Sequence, residues 1–423
     1  MRVLLISSNT ERISMVTIPL GLGLVAAATR RAGHDVTFLD LLGESDPEAA
    51  VGRAVAASRP DVIGVSVRNI DDQTRGSPRF LLDQVRPVVA ACRAATGAPV
   101  VLGGAGYSLF PAAALAHLGA DLGICGDGEG AFPALLERLR SGGDPAEVPG
   151  VVVAGRPDSG RRRLEDDLDS FPLWDATLEA TADPHAPDLW IPVQGRRGCP
   201  NDCSYCSTAA IQGRRIRSRS PKRVVERVAA LSRAGYRRFC FVDNSFNIPE
   251  AYALEVCRWM RTLAPGAIWR CILYPHLVRE ELVRAMAEAG CVEVSMGFES
   301  GCERVLREMN KRFTPRDVRA ASDLLASHGI RRIGFLLLGG PGETRESVEE
   351  SLAFADSLGL DFLKVTVGIR IYPGTPLARR AVEEGTLDAG DDLLRPRFYL
   401  AAGLEPWIQE RVATFEADRA AAS

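Results

Sequence analysis

Short apolar segments alternate with helical segments in two blocks of the chain, one before residue 140 and one after residue 190. Strands of the first block are predicted at 3–8, 35–41, 61–67, 99–104 and 121–130. Apolar strands separated by helices predict a doubly wound parallel sheet, in which ligands bind beyond the carboxyl ends of the strands. The first block is therefore expected to be a Rossmann-like α/β domain.

The second block continues the alternation after an irregular segment rich in Pro, Asp and Arg. Its strands are predicted at 191–195, 239–243, 268–273, 292–297, 333–339 and 363–370. Six strand–helix units are fewer than the eight of a closed barrel. We therefore expect a partial (βα)6 barrel of TIM type at 190–385, joined to a first domain at 1–140 by a linker at 141–189. Residues 386–423 are expected to form a cap or tail.

Composition excludes several classes of partner and location. A net charge of −3 gives no basic field for nucleic acid or an anionic membrane surface. No apolar run approaches the roughly 18 residues that cross a bilayer. The ten cysteines are scattered over 423 residues, and the amino terminus reads as a strand, unlike a signal peptide. We expect a cytoplasmic protein with reduced thiols.

Three cysteines stand close together directly after the first strand of the second block, in GCPNDCSYC. Cys199, Cys203 and Cys206 can ligate three irons of a 4Fe–4S cluster, which leaves the fourth iron open. A zinc site with a borrowed histidine is the alternative, but His276 and His328 are not spaced as partners. The cysteines that follow stand singly in apolar segments, as buried cysteines do.

The spacing Cys-x3-Cys-x2-Cys, with Tyr205 before the last cysteine, resembles the radical S-adenosylmethionine (SAM) superfamily. The resemblance covers roughly residues 190 to 385. It implies that SAM chelates the open iron and is split to a 5′-deoxyadenosyl radical. Implied SAM contacts are Tyr205, Asp243 and Asn244 in FVDNSFN, Ser295 and Glu299 in SMGFES, and Gly339 and Gly340 in IGFLLLGGPGET. The family often has Gly-Gly-Glu where FVDNSFN stands, and the alternative for Glu299 is a salt bridge at the strand end.

The first block is similar to the cobalamin-binding domain of cobalamin-dependent radical SAM enzymes, in IPLGLGLVAAATRRAG, VVLGGAGYS and GDGEGAFPALLERL. This resemblance covers nearly the whole chain. Implied cobalamin contacts are Ser66, Arg68, Asn69, Gly103, Gly104, Gly126, Gly128 and Glu129. The Asp-x-His-x-x-Gly motif that supplies a histidine to cobalt in many cobalamin proteins is missing. Arg68 cannot ligate cobalt and would keep its lower face unligated, unless it pairs instead with Asp71 or Asp72.

The resemblance implies a C-methyltransferase of secondary metabolism, such as antibiotic biosynthesis, which moves a methyl group from SAM via methylcobalamin to a carbon of a small molecule. It implies an electron donor of flavodoxin or ferredoxin type, and we expect a monomer. Residues at the ends of two strands are expected to line the substrate pocket, and these are Tyr274, His276, Arg370 and Tyr372. His276 is a candidate general base, with a helix-capping or buried histidine as the alternative.

Three other functions remain open from the sequence. The same cofactors can form or contract a ring, or oxidise, without net methyl transfer. Methylation can also be polar, with SAM serving only as methyl donor. A carrier or sensor of corrinoid or iron–sulfur type is the alternative outside catalysis.

Overall fold

The computed structural model describes residues 1–12, 18–158, 160–174, 186 and 188–422. The first sheet has six strands in the order β2-β1-β3-β4-β5-β6. They are β1 (Arg2–Ser7), β2 (Asp35–Asp40), β3 (Val62–Ser66), β4 (Val100–Gly103), β5 (Leu122–Ile124) and β6 (Val151–Val153). The first five are parallel, as predicted, and β6 pairs antiparallel to β5. β6 lies within the predicted linker, because a run of three valines is too short to be recognised as a strand.

Helices cover both faces of this sheet. They are α1 (Leu20–Arg31), α2 (Pro47–Ser58), α3 (Leu82–Ala95), α4 (Ala105–Leu109), α5 (Pro111–Leu118) and α6 (Gly128–Arg140). Because successive strand side chains point to opposite faces, Leu4 and Ile6 pack in one apolar cluster with α2 and α3. Val3 and Leu5 pack in the other cluster with α1 and α6. The predicted doubly wound arrangement is confirmed.

A two-stranded ribbon of β8 (Arg196–Arg197) and β9 (Arg217–Ser218) follows the first strand of the second sheet. The second sheet is wholly parallel, and its strands are β7 (Ile191–Val193), β10 (Arg238–Phe241), β11 (Ile268–Leu273), β12 (Cys291–Glu299), β13 (Arg331–Leu338) and β14 (Phe362–Val367). Their spatial order is their chain order. Within the described residues β7 and β14 do not pair, so the predicted partial barrel of six units is confirmed.

The short helix α7 (Thr208–Gln212) lies against α4 of the first domain. The helices that follow along the chain are α8 (Pro221–Arg233), α9 (Glu250–Leu263), α10 (Glu280–Glu288), α11 (Glu303–Glu308), α12 (Pro315–Ser327), α13 (Arg345–Ser357), α14 (Pro376–Glu383) and α15 (Trp407–Ala422). Short 3-10 turns lie at Pro145–Glu147 and Leu168–Ser170. None of the helices that the structure describes is long and apolar enough to cross a membrane.

The carboxy-terminal residues pack on the barrel. There β15 (Ile369–Arg370) pairs with β16 (Phe398–Tyr399), and α15 lies along α13. Arg411 and Arg419 of α15 donate to Glu349 and Asp356 of α13 at 2.6 and 2.7 Å.

Side chains of the second sheet alternate between the helices and the barrel interior. Trp269, Leu273 and Met296 are buried under the helices. The residues between them therefore face inwards, and we call that surface the lumen face. Its members used below are Ile272, Ser295, Gly297, Ile333, Phe335, Phe362 and Lys364.

A candidate cofactor site between the two sheets

A cavity of about 400 Å³ lies between the carboxyl edge of the first sheet and the barrel. Seven of the eight residues predicted to contact cobalamin line it, namely Ser66, Arg68, Gly103, Gly104, Gly126, Gly128 and Glu129. Asn69 is not among them. The barrel contributes Gln194, Arg197, Gln212 and Val242 to the opposite wall. The cavity therefore belongs to both halves of the chain.

Glycines shape the edge of this cavity in two ways. A Cβ atom on Gly103 would meet no atom within 4 Å, so the backbone there is open to a ligand. Gly104 has a φ of +100°, and a Cβ on it would lie 2.5 Å from the carbonyl oxygen of Val67. Gly126 has a φ of +103°, and a Cβ there would collide with the backbone of Arg163. An open, backbone-lined edge of this kind fits a large ligand such as cobalamin.

Arg68 lines the cavity wall and is an exposed residue. Partial burial lowers the pKa of its guanidinium. The pairing considered for it from the sequence is wrong. Asp71 pairs with Arg370 at 2.8 Å, and Asp72 pairs with Arg79 at 3.3 Å.

A buried ionic network joins the cavity edge to the barrel. Arg197 donates to Asp127 at 2.9 Å and to Glu129 at 2.5 Å, and Arg217 also donates to Asp127. All four side chains are at most 8% exposed. Two arginines balance two carboxylates, as burial of charge requires. Glu129, which was predicted to contact cobalamin, is therefore engaged by Arg197.

The loop that carries the three cysteines is anchored at several points. The backbone N–H of Cys199 donates to Gly213, and that of Ser204 donates to Met309, at 3.1 and 3.0 Å. Leu377 at the start of α14 donates to the Ser204 carbonyl at 2.9 Å. The loop is thus held by the residues that follow α7 and α11 and by the start of α14.

The thiols of Cys199, Cys203 and Cys206 are free and half-buried. Burial raises the pKa of Cys199 and of Cys203, and the charge of Lys311 opposes this rise. Across the described ranges no three Cys, His, Asp or Glu side chains gather as closely as a single metal ion needs. A 4Fe–4S cluster bonds a separate iron to each thiolate. Three thiols on one anchored loop are the donor set for such a cluster with one open iron.

Glu299 stands at the end of β12 beside this loop. Its Oε1 atom accepts a hydrogen bond from the Tyr205 hydroxyl at 2.8 Å and one from the Lys311 ammonium at 3.1 Å. Burial, reinforced by the charge of Glu299, raises the pKa of Tyr205. Burial alone would lower the pKa of Lys311, but Tyr205 and Glu299 hold it well above its usual value. The salt bridge considered for Glu299 is present, and both bonds go to Oε1.

Sequence analysis missed Lys311. It stands twelve residues after Glu299, in the turn between α11 and α12, and carried no signal of its own. The one available hint is composition, because the chain has only three lysines among its 51 basic residues.

Asp243 and Asn244 hold the cysteine loop from the neighbouring strand. Asp243 is 2% exposed and accepts from the backbone of Gly195 and the Nε of Arg196, both at 2.8 Å. Its predicted contact with SAM does not fit, because both carboxylate oxygens are engaged within the protein. Asn244 donates to the carbonyl of Gly198 at 3.1 Å and to Gln212 at 2.7 Å.

Gly339 and Gly340 turn their amides towards Glu343. The two N–H groups donate to Glu343 Oε2 at 2.5 and 2.9 Å. A Cβ on Gly340 would lie 2.5 Å from Met309, and one on Gly339 would collide with Leu400. These glycines are needed for packing, and their amides are not free for SAM as we had predicted.

The four predicted substrate residues separate into two groups. Tyr274 accepts from the backbone of Arg312 at 3.0 Å, and burial raises the pKa of its hydroxyl. His276 is half-buried, and its Nδ1 has no hydrogen-bond partner among the described residues. Tyr372 is half-buried, and burial also raises the pKa of its hydroxyl. None of these three lines the cavity between the two sheets, and their place in a substrate pocket stays a prediction.

Arg370 differs from these three because all its nitrogens have partners, although its guanidinium lies 5.1 Å from the centre of the Tyr372 ring. Its guanidinium is buried, pairs with Asp71 at 2.8 Å and donates to the carbonyls of Ile371 and Leu393. Only Nε reaches the loop after β3, and the place of Arg370 in the substrate pocket stays a prediction.

Glu343 predicts a pH dependence of stability. Burial raises its pKa to about 7, although the two glycine amides lower it, and Oε1 is buried with no partner among the described residues. The folded chain therefore holds this proton more tightly than the unfolded chain does. We expect the free energy of unfolding to be highest below the unfolded pKa of 4.5 and to fall as the pH rises through 7, by on the order of a few kcal/mol.

Denaturant unfolding of the wild type and of Glu343→Gln at pH 5 and pH 8 measures this effect. The variant should show a shallower loss of stability between the two pH values. Equal slopes in the two proteins would mean that Glu343 does not titrate in this range.

Two family models and several known proteins are similar to this chain. The model of the B12 binding domain matches residues 7–136, and that of the Radical SAM superfamily matches residues 194–355. Hopanoid C-3 methylase of Methylococcus capsulatus is 30% identical over 84% of this chain and 67% of its own length. An uncharacterised methyltransferase of Pyrococcus horikoshii is 26% identical over 92% of this chain and 84% of its own length.

A solved structure shares the whole architecture. The radical SAM methyltransferase TsrM of Kitasatospora setae, with tryptophan substrate and a SAM analogue bound, superposes with a TM-score of 0.84. The two chains are 23% identical, and the match covers 98% of this chain and 88% of TsrM. At that identity the likeness concerns the fold.

Proposed function

The chain belongs to the cobalamin-dependent radical SAM enzymes, and from that premise we propose that it transfers the methyl group of SAM to a carbon atom of a small molecule. One observation carries the proposal. The cavity of the first sheet is closed by the barrel residues that lead into the cysteine loop, since Arg197 lines it two residues before Cys199. A methyl carrier held in this cavity would therefore be close to the cysteine loop.

Cobalamin is assigned to the cavity. The residues that would hold it are Ser66, Arg68, Gly103, Gly104, Gly126 and Gly128. Glycine edges admit the large ring system and its nucleotide tail close to the backbone. Arg68 presents a cation, which cannot ligate a metal.

The iron–sulfur cluster and SAM are assigned to the barrel. Cys199, Cys203 and Cys206 would bind three irons of the cluster. Glu299 and Lys311 offer opposite charges beside the loop, which match the amino and carboxylate groups of SAM. Tyr205 completes the polar surface there, and Ser295, the other predicted SAM contact on β12, lies four residues before Glu299. When bound, cobalamin supplies the methyl carrier, and the cluster with SAM supplies the radical.

The substrate is proposed to be a small molecule. Relatives that act on small molecules include the tryptophan 2-C-methyltransferase of Streptomyces laurentii and the hopanoid methylase already described. His276 is proposed as a general base, because its Nδ1 is unpaired among the described residues. Tyr274 and Tyr372 are proposed to line the same pocket.

The location, the domain bounds, the electron donor and the oligomeric state of the enzyme are also proposed. The ten cysteines are all free, which is typical of a reducing compartment and supports a cytoplasmic location. We infer domains at 1–140 and 190–385, a flavodoxin or ferredoxin as electron donor, and a monomer. Sedimentation of the loaded enzyme tests the last point, where a dimer would overturn it.

The products of SAM test the proposed function without knowledge of the substrate. Anaerobic enzyme loaded with cluster and cobalamin, reduced and given SAM, should form both S-adenosylhomocysteine and 5′-deoxyadenosine. The first product alone would indicate polar methylation. The second alone would indicate radical chemistry without methyl transfer, and neither would indicate a carrier or sensor.

A further inference from the structure

Large apolar side chains are exposed inside the barrel. The described residues include five exposed large apolar side chains, and three of them lie on the lumen face. Ile272 is 44% exposed, Phe335 is 36% exposed and Phe362 is 55% exposed. Apolar side chains that cluster on a concave face indicate a binding surface more often than scattered ones do.

The register of the strands places two of these side chains in one row. Ile272 is opposite Ser295, Ser295 is opposite Ile333, and Ile333 is opposite Phe362. Side chains opposite one another in a parallel sheet share a face, with strands about 4.8 Å apart. The row is therefore an apolar floor across four strands, interrupted by one hydroxyl.

The next row towards the carboxyl ends combines an aromatic ring with a cation. Gly297 is opposite Phe335, and Phe335 is opposite Lys364. Glu299, beside the cysteine loop, lies two residues beyond Gly297 on the same strand. This row therefore separates the apolar floor from the proposed SAM site.

Lys364 differs from the other two lysines of the chain. Lys222 pairs with Glu226 on α8, and Lys311 pairs with Glu299. Lys364 is exposed, and within the described part of the chain it has no salt bridge. In a chain that otherwise uses arginine, a lysine supplies a compact charge on a flexible stem, which suits a single small anionic group.

The lower row of the same face adds positive charge. Glu293 pairs with Arg270 at 3.2 Å and with Arg331 at 3.6 Å, so two cations meet one carboxylate. The charge of the lumen face is therefore complementary to an anion.

We propose that the lumen face binds the substrate and that the substrate is an amphipathic anion. Its apolar body packs on Ile272, Phe335 and Phe362, and its carboxylate or phosphate group pairs with Lys364. This inference rests on the proposed function, because it names the substrate class of the same site. It places the apolar part of the molecule below SAM and leaves its reacting carbon at the upper row.

Equilibrium dialysis of three ring-matched probes tests the inference. The probes are 2-naphthoate, 2-naphthyl phosphate and the neutral 2-naphthamide. The full chain is loaded with cluster and cobalamin and saturated with S-adenosylhomocysteine. The cluster, cobalamin and SAM sites are then all filled. We expect at least one anion to bind about tenfold more tightly than the amide, as a charged hydrogen bond provides. The anion that does so distinguishes carboxylate from phosphate.

Two substitutions and their controls locate the binding. Lys364→Gln should remove the advantage of the anion and leave the amide unchanged, whereas Lys222→Gln should change neither. Phe335→Ala should weaken all bound probes, whereas Val382→Ala, at a residue of similar exposure of 37%, should not. Equal binding of anion and amide, no binding of any probe, or an unaltered Lys364→Gln variant would overturn the inference.

The dialysis reads binding alone. Failure of methyl transfer from SAM with normal probe binding would therefore contradict the proposed function and leave this inference standing. Normal methyl transfer from SAM without probe binding would contradict only the inference.

Discussion

The triple variant Cys199→Ala, Cys203→Ala, Cys206→Ala is expected to lose all cluster absorbance and all cleavage of SAM, while it still binds cobalamin. The thiolates are the only protein ligands proposed for the cluster, and without it no electron reaches SAM. The corrinoid cavity, in contrast, is lined by other residues, none of which is a cysteine. Iron content, the visible spectrum and 5′-deoxyadenosine formation measure the three outcomes.

Cys257→Ala is the matched control. Cys257 is a buried cysteine of α9, and it stands in the apolar core away from the loop. Its loss should lower stability modestly and leave the cluster intact. Loss of cobalamin together with the cluster in the triple variant would contradict the assignment of the two cofactors to separate halves of the chain.

Arg197→Ala is expected to destabilise the folded chain by about 3–5 kcal/mol, because it leaves a buried carboxylate without its partner. Arg217 remains beside Asp127, so Glu129 is the group that loses its cation. Cobalamin affinity should fall as well, since these side chains form part of the cavity wall. Denaturant unfolding and titration with cobalamin measure the two effects.

Two further variants distinguish the loss of the buried ion pair from an effect on stability that any arginine substitution would have. Arg140→Ala breaks an exposed pair with Glu137, which water and salt screen, and should leave stability nearly unchanged. Removal of both partners in Arg197→Leu with Glu129→Leu should recover much of the lost stability, because no orphaned charge is left. A single Arg197→Ala variant as stable as Arg140→Ala would show that the network does not hold the two halves together.

The regular elements could be predicted from local pattern. The helices at Pro47–Ser58 and Pro315–Ser327 carry clear local signals, because each has a proline in its first turn and an apolar stripe. Very short elements were missed. The three residues of β6 and the five of α4 carry too few side chains to establish a period.

The site was predictable only where one segment carries the chemistry. The three cysteines lie within nine residues of sequence, from Gly198 to Cys206. Their spacing identifies the cluster loop. Charge pairing across the fold leaves no such local record. Arg197 and Glu129 are 68 residues apart, and Arg370 and Asp71 are 299 apart. Side chains assigned to ligands by position, such as Asp243, therefore proved to be engaged by arginines.

The most direct test of methyl transfer follows the methyl group of SAM. Reduced anaerobic enzyme, loaded with cluster and cobalamin, is given SAM with a fully deuterated methyl group, and the corrinoid is recovered for mass spectrometry. We predict a corrinoid that carries the deuterated methyl group. Enzyme that holds both cofactors and cleaves SAM, yet returns an unlabelled corrinoid, would contradict the account.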